Sequence, residues 1–173
     1  MYLNKIKLFL VISISLIFFF LTYNDVNSNE TNIISGIPIV TDGDTIKING
    51  KKIRFSGIDA PESYYRGKRQ HCIYEKIEVN CGYWSKIVLI EKIGNSRVTC
   101  IKDAKPDQYN RILAECFVNN ESLSKFLVRR GYAFAYRKYS NKFIEDEKYA
   151  KDNELGLWKT EFQYPWDFRK KSK

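Results

Sequence analysis

The stretch TDGDTIKINGKKIRFSGIDAPE, residues 41–62, constrains the fold more than any other part of the chain. Ile46 and Ile48 alternate with polar residues, Asn49-Gly50 follows, and Ile53 and Phe55 alternate on the return. Side chains on a strand point to opposite faces in turn, and Asn-Gly tolerates the positive φ that a two-residue hairpin turn needs at both positions. Centring the hairpin there sets Ile46 opposite Ile53 and Thr45 opposite Arg54. Arg54 is then one residue from the partner of Asp44, and strict alternation would put their side chains on opposite faces. If the two share a site, the DGD turn must break the pleat or the strand must end there.

The rest of the chain fits short strands and a few helices. A polar lead-in at 29–33 precedes the strand-like region from Ile34 to Phe55. After Pro61, residues 62–80 are polar and irregular and read as a long loop. Residues 81–93 suit a helix, with Trp84, Ile87, Val88 and Glu91 at helical spacing and Gly94 as the stop. SRVTCIK and RILAECFV read as two strands around the turn KDAKPDQYN. A second helix is expected over 122–130, with Leu123, Phe126, Leu127 and Arg130 on one face and Gly131 just beyond. A third should run from about 141 to 154, ending before Gly156, and PWDFRKKSK closes the chain as a basic tail. This order predicts an α+β fold with a small, strongly twisted sheet or barrel.

At the other end, residues 1–28 read as a targeting segment. Lys5 and Lys7 precede the uncharged run LFLVISISLIFFFLTY at residues 8–23, and Val26 and Ser28 suit a signal-peptidase site. At about 1.5 Å per residue the run spans roughly 24 Å, short of a ~30 Å hydrocarbon core, which favours a cleaved signal peptide over a retained membrane anchor. The remaining domain, 29–173, is then periplasmic or secreted. Hydrophobic residues at 44% and aromatics at 15% supply a packed core and exclude a disordered chain.

Four cysteines all follow the signal segment, and in an exported chain they read as two disulfides with three possible pairings. A hairpin centred on Gln108 sets Cys100 opposite Cys116, which leaves Cys72 for Cys81. Zinc is the rival, but CxxC spacing is missing and His71 is the single histidine.

The chain is basic, with 29 Lys+Arg against 20 Asp+Glu, yet the hairpin segment concentrates acids. Taken singly, Asp42-Gly43-Asp44 is a turn, Asp59-Ala60-Pro61-Glu62 a strand exit, and Arg54 and Arg111 surface charges. Together, Asp44, Asp59 and Glu62 gather at the open end of one hairpin, where carboxylates repel unless a cation compensates. A hard divalent ion with oxygen ligands is the economical solution. Nearby arginines suit an anionic ligand, because guanidinium matches phosphate oxygens in bidentate fashion. A metal, a free carboxylate and two arginines meet the needs of phosphodiester chemistry.

The segment DGDTIKINGKKIRFSGIDAPE, followed by DQYNR at 107–111, resembles the staphylococcal nuclease (thermonuclease) family. LVRRGYAFAYRKYS and ELGLW continue the resemblance, which covers residues 34–158. It implies a five-stranded OB-fold barrel with three helices and a Ca²⁺-dependent nuclease cleaving DNA, RNA or both. It implies Asp44 and Asp59 as Ca²⁺ ligands, with Ala60, a threonine in the founding member, ligating through its backbone carbonyl. Glu62 is implied as the general base, Arg54 and Arg111 as phosphate-binding catalytic residues, and Tyr109, Tyr136 and Tyr139 as substrate-binding aromatics. Asn110 stands where the family has glycine, and Gln108 where it has a lysine. A monomer without an obligate protein partner is expected. Two other readings are a non-catalytic nucleic-acid-binding OB module, whose signature would be missing carboxylates or arginines, and a cationic protein using RKKSK on anionic lipids.

Overall fold

Asn49 and Gly50 both take positive φ (49° and 78°), and the hairpin they close has the register the spacing requires, Ile46 opposite Ile53 and Thr45 opposite Arg54. The computed structural model describes residues 32–172. The expected signal peptide or anchor at 1–28, including the apolar run at 8–23, lies outside the described residues. Among the described residues, no helix is long and apolar enough to cross a membrane.

The hairpin strands, β3 (Thr45–Ile48) and β4 (Lys51–Phe55), belong to a seven-stranded mixed sheet with β1 (Ile33–Gly36), β2 (Ile39–Asp42), β8 (Val98–Lys102), β9 (Ile112–Val118) and the short β10 (Glu121–Ser122). Its ladder runs β1-β8-β9-β4-β3-β2, with β10 beside β9. Every pairing is antiparallel except β4 with β9, where Arg54 lies level with Leu113. The α+β expectation holds. The five-stranded barrel is found as this longer ladder, with no β1–β2 pairing among the described residues.

One face of the sheet carries the core. Ile46, Ile48, Ile53, Val98, Ala114 and Val118 are at most 1% exposed, and a fully buried aliphatic of this size contributes about 1.5–3 kcal/mol. Helices α1 (Cys81–Ile93) and α2 (Leu123–Arg129) cover them through Leu89, Ile93, Leu123, Leu127 and Val128. Ser122 caps α2 by accepting from the Lys125 N–H, so the expected start holds to within a residue. α3 (Ile144–Asp152) is the third expected helix, shorter at both ends.

The differences have physical causes. The buried stripe of α1 is Cys81, Gly82, Ser85, Leu89 and Ile93 rather than Trp84, Ile87, Val88 and Glu91, because small residues here meet other backbone closely. Arg130, expected on the inner face of α2, is exposed. The loop 62–80 contains a hairpin, β6 (Cys72–Tyr74) with β7 (Ile77–Val79), turned by Glu75 and Lys76 at positive φ, a turn with neither Gly nor Asn to announce it. The basic tail is a further helix, α4 (Pro165–Lys171), with Pro165 in its first turn. A second, aromatic core centred on Phe134 and Leu157 gathers Trp158, Phe162, Tyr164 and Trp166, and so fastens the C-terminal segment to the domain.

Both disulfides form as expected, Cys72–Cys81 and Cys100–Cys116, the latter between register partners of β8 and β9 inside the core. Replacing Cys100 and Cys116 together by Ala is expected to cost about 3 kcal/mol through lost loop closure. An unchanged urea midpoint would contradict this assignment.

Candidate active site

Asp44 and Arg54 do converge, and the break in the pleat is visible. The β2–β3 register shifts between Val40 and Asp42, and Asp44 sits in the turn before β3 rather than in the ladder. Freed from alternation, its Oδ2 lies 2.7 Å from Arg54 Nη1. Gly43 makes the turn possible. A Cβ there would stand 2.7 Å from the Ser85 Cβ and 2.9 Å from the Ala60 Cβ, so any side chain would push the turn away from α1 and from residue 60.

Arg54 reaches a second carboxylate. Its Nη2 lies 2.5 Å from Asp59 Oδ1, on the short strand β5 (Ile58–Asp59), and also donates to the Ile58 carbonyl. Asp59 is fully buried and Asp44 nearly so. Burial opposes the arginine's charge, but Asp44 and Asp59 outweigh it and hold its pKa above the ordinary value. Asp44 also accepts from the Ala60 N–H at 2.9 Å and the Thr45 hydroxyl at 2.8 Å. The backbone of residue 60 is thereby drawn against the Asp44 carboxylate. Removing one partner from a buried set of this kind typically costs about 3–5 kcal/mol, since a charge is left uncompensated.

Glu62 is held by its backbone. Its N–H donates to Gln70 Oε1 at 3.0 Å, its carbonyl accepts from the Gln70 N–H at 3.1 Å, and Gln70 is itself buried. Gly82 in the first turn of α1 fits under this carbonyl, where a Cβ would come within 2.0 Å of the oxygen. Asp42, read from sequence as a turn residue only, does more. Its Oδ1 accepts from the N–H of Gly43 and of Ser63, so the two aspartates of DGD tie down both ends of the segment 60–63.

A residue that sequence reasoning missed completes the cluster. Arg169 on α4 donates through Nη1 to Asp59 Oδ1 (3.0 Å) and Glu62 Oε1 (2.6 Å), and through Nη2 to Asp59 Oδ2 (2.6 Å). Pro165, a favoured first helical residue, was the signal that the tail could be a helix; nothing local indicated its target more than a hundred residues away. Asp42, Asp44, Asp59 and Glu62 thus face Arg54 and Arg169, with negative charge in excess. No group of three or more acidic, His or Cys side chains among the described residues converges as a ready metal cage, because a guanidinium bridges Asp44 to Asp59 and another bridges Asp59 to Glu62.

Arg111 lies outside this set. It follows the exposed 103–110 connection, where its side chain pairs with Asp107 at 2.6 Å and its N–H donates to the same carboxylate. Burial would raise the Asp107 pKa, but hydrogen bonds from the Arg111 and Tyr109 backbone and from the Arg111 side chain hold it below the usual range. Asn110 takes the left-handed φ of 59° that the family glycine would supply, so the turn survives the exchange. Tyr109 is 69% exposed, its ring beside the Arg111 guanidinium. Tyr136 and Tyr139 meet edge to face, and Tyr136 stacks on Trp166 of α4 with ring centroids 5.5 Å apart.

Burial and the charges of Asp44 and Asp42 push the Glu62 carboxyl up to about 7, against the opposing effect of Arg169. An acid whose pKa is raised stays protonated to higher pH, so Glu62 should be mostly neutral at pH 6 and ionised by pH 8 in metal-free protein. Its carboxyl ¹³C shift should titrate with a midpoint near 7; a midpoint at the ordinary glutamate value would contradict this environment.

Comparison with known proteins agrees with the residues. A family model described as staphylococcal nuclease homologue matches residues 52–160. The succinoglycan biosynthesis protein ExoI of Rhizobium meliloti is 31% identical over 132 residues, covering 74% of this chain and 66% of its own length. Endonuclease YncB of Bacillus subtilis is 32% identical over 127 residues, covering 68% of this chain and 57% of its own. An uncharacterized endonuclease of Haemophilus influenzae is 28% identical over 156 residues, with 86% and 77% covered. The chain therefore spans between just over half and about three-quarters of the length of these relatives. With the matched region containing Arg54, Asp59, Glu62 and Arg111 on a fold of the expected class, this chain belongs to the staphylococcal nuclease family.

Proposed function

We propose that this protein is an exported, Ca²⁺-dependent nuclease that hydrolyses phosphodiester bonds of DNA, RNA or both by in-line attack of water. The observation that carries the reading is the set of buried carboxylates, Asp44 and Asp59, held around Arg54 with Glu62 fixed beside them. Nothing in an ordinary core requires two buried aspartates and an arginine at one end of a sheet, whereas a phosphate site with a hard cation does.

The donor set fits such a cation. Asp44 and Asp59 offer hard oxygens, and the hydrogen bond from the Ala60 N–H to Asp44 holds residue 60 beside them. Ca²⁺ bound there would neutralise charge on the phosphate and on the pentacoordinate transition state. The chain's own groups do the rest. Arg54 keeps its charge at any accessible pH and would donate to a non-bridging phosphate oxygen. Glu62, rigidly seated by Gln70 and Gly82, accepts the proton of the attacking water as the new P–O bond forms and the bond to the sugar oxygen breaks, the departing sugar oxygen taking a proton from solvent. Arg111 and Tyr109, on the exposed connection, are available to a phosphate and a base from the open side. Basic side chains follow the backbone and exposed tyrosines stack on bases with little sequence preference.

Export rests on the N-terminal pattern and is supported by the two disulfides, which persist in oxidising compartments. Residues 1–28 are then removed as a signal or retained as an anchor.

Cleavage of single- and double-stranded DNA and of RNA should stop on chelation and return with Ca²⁺. Glu62→Gln should lower kcat by about 10²–10⁴ while leaving nucleic-acid binding in place. Chelator-insensitive cleavage, or full activity in Glu62→Gln, would overturn the proposal. Gly82→Ala leaves every charged group present but displaces the Glu62 backbone, so kcat should fall at least tenfold; wild-type kcat in a folded Gly82→Ala protein would show that this contact does not position the base.

A further inference from the structure

Helix α4 reaches the candidate site at two points, and neither contact is one the proposed reaction calls for. Arg169 places its planar fork on both oxygens of Asp59 and on Glu62. Three residues earlier, on the same side of the helix, Trp166 lies parallel to Tyr136 at 6° between planes, and Tyr164 stacks on the same indole at 4.5 Å. One contact engages the carboxylates that the proposed cation needs. The other covers the tyrosine expected to meet a nucleotide base.

We infer that α4 is an internal strap: in the metal-free protein Arg169 stands in for the divalent cation on Asp59 and Glu62 while Trp166 stands in for a base on Tyr136, and cation and nucleic acid must displace it. This rests on the reading of Asp44 and Asp59 as metal ligands. The hydrogen bonds set Arg169 and a cation in competition for the same carboxylate oxygens. Asp59 Oδ1 already accepts from Arg54 and Arg169, and Oδ2 from Arg169. Glu62 Oε1 accepts from Arg169, and a base bound to a guanidinium has less capacity for the proton of water. With Arg169 in place, the four carboxylates of the cluster retain an uncompensated negative charge, so a cation of higher charge density has a reason to enter.

The strap is built to release. α4 has seven residues, too few to be a stable helix alone. Its charged end is held by Arg169, while Lys170 and Lys171 are exposed. Lifting the helix gives up the edge-to-face contact of Trp166 with Phe134 at 6.3 Å, but upstream Phe134 still packs against Phe162 and Tyr164, and the Ile73 and Glu161 backbones exchange hydrogen bonds at 2.9 Å. That anchor stays when the helix lifts, so the strap remains tethered close to the site.

The test is a calorimetric Ca²⁺ titration of the wild type, Arg169→Gln, Arg169→Lys, Asp59→Asn and a chain ending at Phe168, paired with hydrogen exchange of the 166–172 amides with and without Ca²⁺. Arg169→Gln and the shortened chain should bind Ca²⁺ at least tenfold more tightly than wild type. Arg169→Lys, which keeps the charge and loses the fork, should fall between them. In wild type, Ca²⁺ should accelerate exchange across 166–172. Equal or weaker affinity in Arg169→Gln, or unchanged protection of α4 in Ca²⁺, would overturn the strap and make Arg169 a standing member of the site. If binding is lost only in Asp59→Asn and the other affinities are equal, the metal reading survives and the strap does not. If no protein binds Ca²⁺, both fall.

Discussion

The buried bridge from Asp44 through Arg54 to Asp59 is the interaction on which the site depends. Arg54 comes from near the C-terminal end of a sheet strand, Asp44 from the turn before the neighbouring strand, and Asp59 from a two-residue strand beyond the next turn. An unpaired charge at this depth would cost several kcal/mol, so each of the three requires the other two. The bridge fixes the relative position of three chain segments, and the segment carrying Glu62 is pinned to them by Asp42, Asp44, Gln70 and Gly82. Rigidity here has a chemical consequence, because a base and a cation act on the same phosphate only if they stay within fractions of an ångström of their places.

Much of this was legible in the sequence. Asn49-Gly50 fixed the register of the central hairpin, and that register in turn required the DGD turn to leave the ladder, as it does. The spacing of Cys100 and Cys116 about Gln108 gave their pairing, since opposed residues of a hairpin are within reach of a disulfide. What stayed hidden depends on close approach or on long range. Gly82 and Ser85 are buried on α1 because Glu62 and Gly43 press against them, and hydrophobic periodicity does not register a small residue chosen for its size. The turn at Glu75 and Lys76 adopts positive φ without the residues that usually announce it. Arg169 meets partners 110 and 107 positions away, a contact that no local pattern encodes.

Membership of the staphylococcal nuclease family fits the fold. Two disulfides staple the sheet and the 62–80 segment, and an aromatic core anchors a C-terminal segment that ends at the carboxylates. The gathering of Asp42, Asp44, Asp59 and Glu62 from the 41–62 stretch is thereby explained at two levels. Buried guanidiniums balance part of it in the folded protein, and the remainder is the charge that a divalent cation would meet.

The most direct measurement is a crystal structure with Ca²⁺, the ion located by its anomalous scattering. One ion is expected between Asp44 and Asp59 beside the carbonyl of residue 60, with Arg169 withdrawn from both Asp59 oxygens. An ion bound elsewhere, or no ion at saturating Ca²⁺ with the Arg54 and Arg169 bridges intact, would contradict it.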